Sequence, residues 1–236
     1  MDEKKLTLID HLEELRKRLI ISLVALFLGM IITFAFWQET IFCLIKGPLQ
    51  QLEQELVFLS VTEGFILQIK IAFLGGLIIA SPVILWQIIA FVLPALYKQE
   101  RKVFWSIFLS SLFLFVLGIV FAYKVVLVLG LKFLLLNFSG GLTPMLSASR
   151  YLSFFLTFLL PFGITFEIPV ATYILTRVGI LTPQKLRQKR RYVILVIFIL
   201  AAFLTPPDII TQILLALPML ALYEISIIIS FFATKR

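Results

Sequence analysis

Glu167 sits where a charge needs a chemical reason: inside TFLLPFGITFEIPVATYIL, residues 157–175, an apolar run long enough to cross a bilayer, between Pro161 and Pro169. A carboxylate at that depth costs about 2.5 to 3.5 kcal/mol on insertion scales, so it is expected to face protein or a water-filled recess. The two prolines remove backbone donors on either side, which predicts a bent helix with freed carbonyls beside the carboxylate. Glu167 is then either a functional group in a polar recess or a protonated carboxyl hydrogen-bonded to a neighbouring span. Glu224 lies close to the end of a later apolar run, where it can snorkel or pair with a loop arginine. Near the N-terminus, Glu13 with Lys17 and Glu14 with Arg18 stand at i,i+4, a spacing worth about 0.2–0.5 kcal/mol when the partners meet on one helix. By itself that pattern reads as a solvated helix face. The chain has one histidine, His11, and one cysteine, Cys43. A multi-cysteine metal site, a His-based metal centre and a Ser-His-Asp triad are therefore not expected. The spans also lack a nucleophile, base and orienter at workable spacing. Binding or transport without a cofactor is the expectation, not catalysis.

The elements that must position these residues are membrane spans. The chain has 236 residues, 61% of them hydrophobic, with a mean hydropathy of +1.08, far above the roughly half-apolar composition of soluble domains. An all-α integral membrane protein follows, a single polytopic domain over 1–236. Runs near the roughly 20 residues that cross a hydrocarbon core of about 30 Å fall at 19–37, 66–88, 103–123, 153–176 and 209–232. A sixth, at 192–204, has 13 apolar residues between the basic RQKRR and TPPD, about 20 Å of helix; to span, it must thin the bilayer or borrow length from its flanks. Counting it puts 16 of the 21 Lys and Arg on the side of the two termini, which predicts six transmembrane helices with both termini cytoplasmic. The net charge of +8 is then mostly a topology signal, and no aromatic-interleaved basic patch calls for nucleic acid. The start, MDEKKLTLIDHLEELRKRL, has no small-residue cleavage site before the first apolar run, so the first span reads as an uncleaved anchor. Residues 7–18 read as an amphipathic helix, Thr7 its N-cap, with Leu8, Leu12, Leu15 and Leu19 on a face for the bilayer surface or neighbouring helices. The outer segments 38–65 and 124–152 are expected to hold short helices or caps.

Three stretches carry a resemblance: HLEELRKRL at 11–19, FVLPALYKQER at 91–101 and TPPDIITQILLALPMLALYE at 205–224. In this order, on six spans, the chain resembles the TatC family, a subunit of the twin-arginine (Tat) protein translocase of the bacterial inner membrane, over essentially its whole length. The resemblance implies a binding site for the twin-arginine signal peptides of folded cargo on the cytoplasmic face, with Glu14 and Glu100 as the carboxylates. Arg16 and Leu19 would support the N-terminal side, and Phe91, Pro94, Leu96, Tyr97 and Arg101 would shape the loop. An arginine fork suits a carboxylate bidentately in a way lysine does not. The resemblance further implies a concave six-helix bundle with Glu167 in its polar recess and a short fifth helix. Thr205 and Gln212 would meet the single-span partners TatA and TatB, Pro48 and Asp208 would be further functional positions, copies would self-associate, and the proton-motive force would drive export. Asp208 also suits the N-cap of the sixth helix. Ala202 departs from the larger residue found there in some relatives. The alternative is a proton- or cation-coupled transporter using Glu167, but such a protein should couple several midplane polar residues, and Glu167 is nearly alone.

Overall fold

The computed structural model describes residues 8–92, 101–137, 145–204 and 209–234. The chain runs through α1 (Leu8–Ile32), a π-helical turn (Thr33–Trp37), α2 (Gln38–Gln50), β1 (Leu56–Val57), α3 (Glu63–Val92), α4 (Arg101–Phe121) and a second π-helical turn (Ala122–Leu127). It continues as α5 (Val128–Asn137), β2 (Leu146–Ser147), α6 (Ala148–Thr165), α7 (Ile168–Arg177), α8 (Pro183–Leu204) and α9 (Ile209–Thr234). Among the described residues, five stretches are long and apolar enough to cross a membrane: Asp10–Gln50, Glu63–Val92, Lys102–Leu135, Ala148–Arg177 and Ile209–Thr234. This is an all-α, multi-pass membrane protein.

Three boundaries differ from the sequence reading. The first span does not end at 37 but stays helical to Gln50, because no glycine or proline interrupts residues 33–46 and a π turn absorbs one extra residue. Pro48 consequently lies inside a helix, α2, and not in a loop. The third span likewise continues through its π turn to Asn137. The short run read at 192–204 belongs to a helix that starts earlier, because the basic run 185–191 forms the first turns of α8; its apolar 13 residues are short, but the helix has 22 and reaches about 33 Å. That helix is started by Pro183 and by Thr182, whose Oγ1 accepts from Lys185 N–H at 3.3 Å.

The contacts divide the chain into two compact units. One comprises Met1–Cys43 with Phe65–Leu112, the other Leu44–Gly64 with Phe113–Arg236. In the first, α1 and α3 cross closely enough that a Cβ on Gly29 would stand 2.7 Å from the carbonyl oxygen of Gly76. Such contacts let membrane helices gain dispersion energy where no hydrophobic drive between them exists. In the second, Phe158, Phe162, Leu152, Val126 and Leu127 are fully buried. There α7 lies along α9, tied by a buried hydrogen bond of 2.9 Å between Thr176 Oγ1 and Ser230 Oγ. Strands β1 and β2 pair in parallel, Leu56 with Leu146 and Val57 with Ser147.

Candidate functional site

Within the first unit, the N-terminal turns of α1 meet the last turns of α3. Glu14 is half-buried, and its Oε1 accepts Arg18 Nε at 2.9 Å and Nη2 at 2.5 Å. The third nitrogen, Arg18 Nη1, donates to Gln87 Oε1 of α3 at 3.1 Å. One turn further, His11 stacks on Phe91, ring centroids 4.4 Å apart and 17° from parallel. Glu14 pairs with Arg18 as its spacing predicts. Glu13 does not take Lys17: it approaches Arg16 at 3.7 Å, with both side chains mostly in solvent, a pair of small energetic weight. Leu12, Leu15 and Leu19 are exposed. Beyond Phe91 the chain re-enters the described residues at α4, whose Phe104, Trp105 and Phe108 surround Trp86 of α3 at centroid distances of 4.8, 5.3 and 5.2 Å. This aromatic cluster pins together the two helices that carry the ends of the 93–100 segment. Pro94, Leu96, Tyr97 and Glu100 lie outside the described residues, and Arg101 opens α4. The arrangement therefore holds a carboxylate already shaped to accept a guanidinium beside an aromatic ring. His11, Arg18 and Gln87 were not singled out for it from the sequence; the signal that could have found Gln87 is a polar side chain one residue before the end of the apolar run 66–88.

In the second unit, the fourth span breaks at Phe166–Glu167, between the two prolines. Pro161 stays inside α6, whereas Pro169 occupies the first turn of α7, with Glu167 at its N-cap position. Glu167 N–H donates to Ile164 C=O at 3.0 Å, and its side-chain Oε1 is shielded from solvent. Across the break lies Gly118 of α4, where a Cβ would sit 2.8 Å from the Phe162 carbonyl oxygen and 2.8 Å from Phe166 Cγ. Phe121 closes over the same place, 5.8 Å from the Phe162 ring and 5.7 Å from Phe166. The carboxylate is thus set at an interrupted helix, at the N-cap position of α7.

Pro48 has a precise local consequence. A proline has no N–H to give the carbonyl four residues back, which here belongs to Leu44, and Tyr123 Oη donates to that carbonyl at 2.8 Å. A Cβ on Gly47 would stand 2.8 Å from the same hydroxyl. Tyr151 Oη binds the adjacent Ile45 carbonyl at 2.8 Å. At the other end of the chain, Gln212 Nε2 donates to Phe198 C=O at 3.0 Å, joining α9 to α8. Ala202 is exposed on α8, while Thr205 and Asp208 lie outside the described residues. Glu224 pairs with Arg190, Nε to Oε1 at 2.7 Å; the arginine anticipated in a loop stands on α8.

Glu63 was not singled out from the sequence. It precedes the apolar span at 66–88, is buried, and accepts Ser147 Oγ and Ser149 N–H (2.9 Å) on Oε1 and Leu59 N–H (2.6 Å) on Oε2. Ser147 in turn caps α6, its Oγ accepting from Arg150 N–H at 3.2 Å. This carboxylate latches the start of α3 to the start of α6.

The family model described as Sec-independent protein translocase protein (TatC) matches residues 10–218. The chain belongs to the TatC family. It is 46% identical to the TatC of Carboxydothermus hydrogenoformans over 100% of this chain and 97% of that protein. It is likewise 46% identical to that of Aquifex aeolicus, over 97% and 96%, and 41% identical to that of Escherichia coli K12, over 95% and 88%. A crystal structure of a twin-arginine translocase receptor, TatC, superposes with a TM-score of 0.86 at 46% identity, covering 95% of this chain and 99% of that one. The TatC fold expected from the sequence is the fold observed. The family is a component of a protein translocase and not an enzyme family.

Proposed function

We propose that this TatC chain is the receptor and scaffold of a twin-arginine translocase, lying in a bacterial-type inner membrane with both termini cytoplasmic. Twin-arginine signal peptides of folded cargo bind its cytoplasmic face through Glu14 and Glu100, with Arg16, Leu19, Phe91, Pro94, Leu96, Tyr97 and Arg101 shaping the site. TatA and TatB dock near Thr205 and Gln212, Glu167 receives a polar group of signal or partner in its recess, copies self-associate, and the proton-motive force drives export. The chain acts by binding and not by catalysis. The observation that carries this reading is Glu14, half-buried at the α1–α3 junction and already coordinating a guanidinium through two N–H donors. A carboxylate in that state accepts an arginine fork by exchange, with little reorganisation.

The test is equilibrium binding of a labelled RR signal peptide to the purified protein in detergent, beside a KK peptide and the Glu14→Gln and Glu100→Gln variants. Each variant is expected to weaken RR binding by about 1.5–3 kcal/mol, the range for a hydrogen bond to a charged group. Equal affinity for RR and KK, or wild-type affinity in both variants, removes the site.

A further inference from the structure

The nine residues at the start of α8 carry five cations, Lys185, Arg187, Lys189, Arg190 and Arg191, directly before the apolar run that begins at Tyr192. The helix is rooted on one side: Leu186 is buried with Tyr223 and Ile227, Val193 packs against them, and Tyr223 Oη donates to Leu186 C=O at 2.7 Å. Arg190 turns the same way and is committed to Glu224. At about 100° per residue, the opposite face carries Gln188, Tyr192 and Leu195. Lys185 and Lys189 then run along one flank of it and Arg187 and Arg191 along the other, all of them exposed. Among the described residues no carboxylate lies within ion-pair distance of these four. Tyr192 bridges the flanks: its ring lies 5.4 Å from Lys189 Nζ and 4.8 Å from the Arg191 guanidinium, and its hydroxyl accepts Arg191 Nη2 at 2.9 Å. Lys185 Nζ makes only a weak contact among the described residues, donating to Ile180 C=O at 3.4 Å. Beyond Tyr192, exposed Leu195, Ile199 and Phe203 continue the same face as an apolar stripe.

We propose that this face of α8 is a binding site for an anionic phospholipid, its phosphates held between the two cationic flanks and its acyl chains lying on the Leu195–Ile199–Phe203 stripe. Two features choose the occupant. The apolar part of α8 is about 20 Å long against a hydrocarbon core of about 30 Å, so the cations are drawn down to headgroup depth. Cations at that level beside a span attract anionic headgroups. An acidic peptide would answer to the cations but has no use for the stripe beneath them. Four unpaired cations on two flanks suit a headgroup with two phosphodiesters better than one with a single phosphate. The site does not depend on the receptor reading, since it asks only that α8 enter a membrane.

The experiment measures lipid retained per protein, and the shift in thermal midpoint, for protein in detergent supplied with diphosphatidylglycerol, phosphatidylglycerol or phosphatidylcholine. Retention is expected in that order. Arg187→Gln/Arg191→Gln and Lys185→Gln/Lys189→Gln should each lower affinity for the anionic lipids about tenfold or more. Arg187→Lys/Arg191→Lys should keep it, and the control Lys124→Gln/Lys132→Gln should match wild type. High salt on the wild-type protein should reproduce the loss with no substitution, so a variant that folds poorly does not remove the test. The chain-free headgroup glycerophosphoglycerol should bind far more weakly than the lipid. Equal retention of phosphatidylcholine, an equal loss in the control pair, or headgroup binding as tight as lipid binding overturns the proposal.

Discussion

Three donors from two stretches of chain converge on the Glu63 carboxylate: Ser147 Oγ, Ser149 N–H and Leu59 N–H. Glu63→Gln keeps the shape of the side chain and removes its charge, so it should lower the thermal midpoint in detergent; a midpoint equal to wild type would show that the charged acceptor is not what holds the start of α3 to the start of α6. Tyr123 offers a second check. Tyr123→Phe leaves the Leu44 carbonyl, already deprived of an N–H by Pro48, without its hydroxyl donor; the bond is exposed, so the expected loss is about 0.5–1.5 kcal/mol. A denaturation midpoint equal to wild type would mean that another donor takes over. Glu14 and Pro48 illustrate how little a residue's own identity reveals: the first could be recognised by its spacing to Arg18, but nothing local to Pro48 pointed to a tyrosine 75 residues on.

Among the helices, interruptions matter more than lengths. The α6–α7 break follows from prolines on both sides of Glu167, and its neighbour α4 supplies Gly118 because any side chain there would meet the Phe162 carbonyl. Gly118→Ala is expected to cost about 1–3 kcal/mol, the range for overpacking, read as a lower unfolding midpoint in detergent. The turn from α7 into α8 ends on Gly179 at φ +82, with Ile180 N–H donating to Leu175 C=O at 3.0 Å. A Cβ on Gly179 meets nothing within 4 Å, so Gly179→Ala tests backbone conformation alone. It should cost about 1–2 kcal/mol, with the signature of a destabilised α7–α8 turn. The π turns were not foreseen, because the extra residue in each leaves no mark on hydrophobic patterning; only the helix-breaking Gly47 and Pro48 were visible, and they lie a turn or more beyond where the span was expected to end.

For the molecule as a whole, the proposed orientation has a direct test. In a Cys43→Ser background, an impermeant maleimide should label Val61→Cys, whose native side chain is fully exposed, from the outside of intact cells. Thr234→Cys, exposed at the end of α9, should react only after the membrane is opened. Labelling of both from the same side would contradict the six-crossing topology. The short apolar part of α8 makes the same point at larger scale: the charge count required a crossing there, and the structure continues the helix backward through the basic run.

What the sequence determined by itself was everything that rests on composition and on neighbours along the chain. The membrane class, the apolar spans, the charge asymmetry, the break at Glu167 and the Glu14–Arg18 pair all depend on residues within a few turns of one another. Tertiary structure alone decided which distant groups meet. Arg18 finds Gln87 at a separation of 69 residues, Tyr123 finds Leu44 at 79 and Ser147 finds Glu63 at 84. Each is a single polar group, whose partner is chosen by which helices pack side by side. Helical periodicity tells a residue which face it lies on, but not which helix that face will meet.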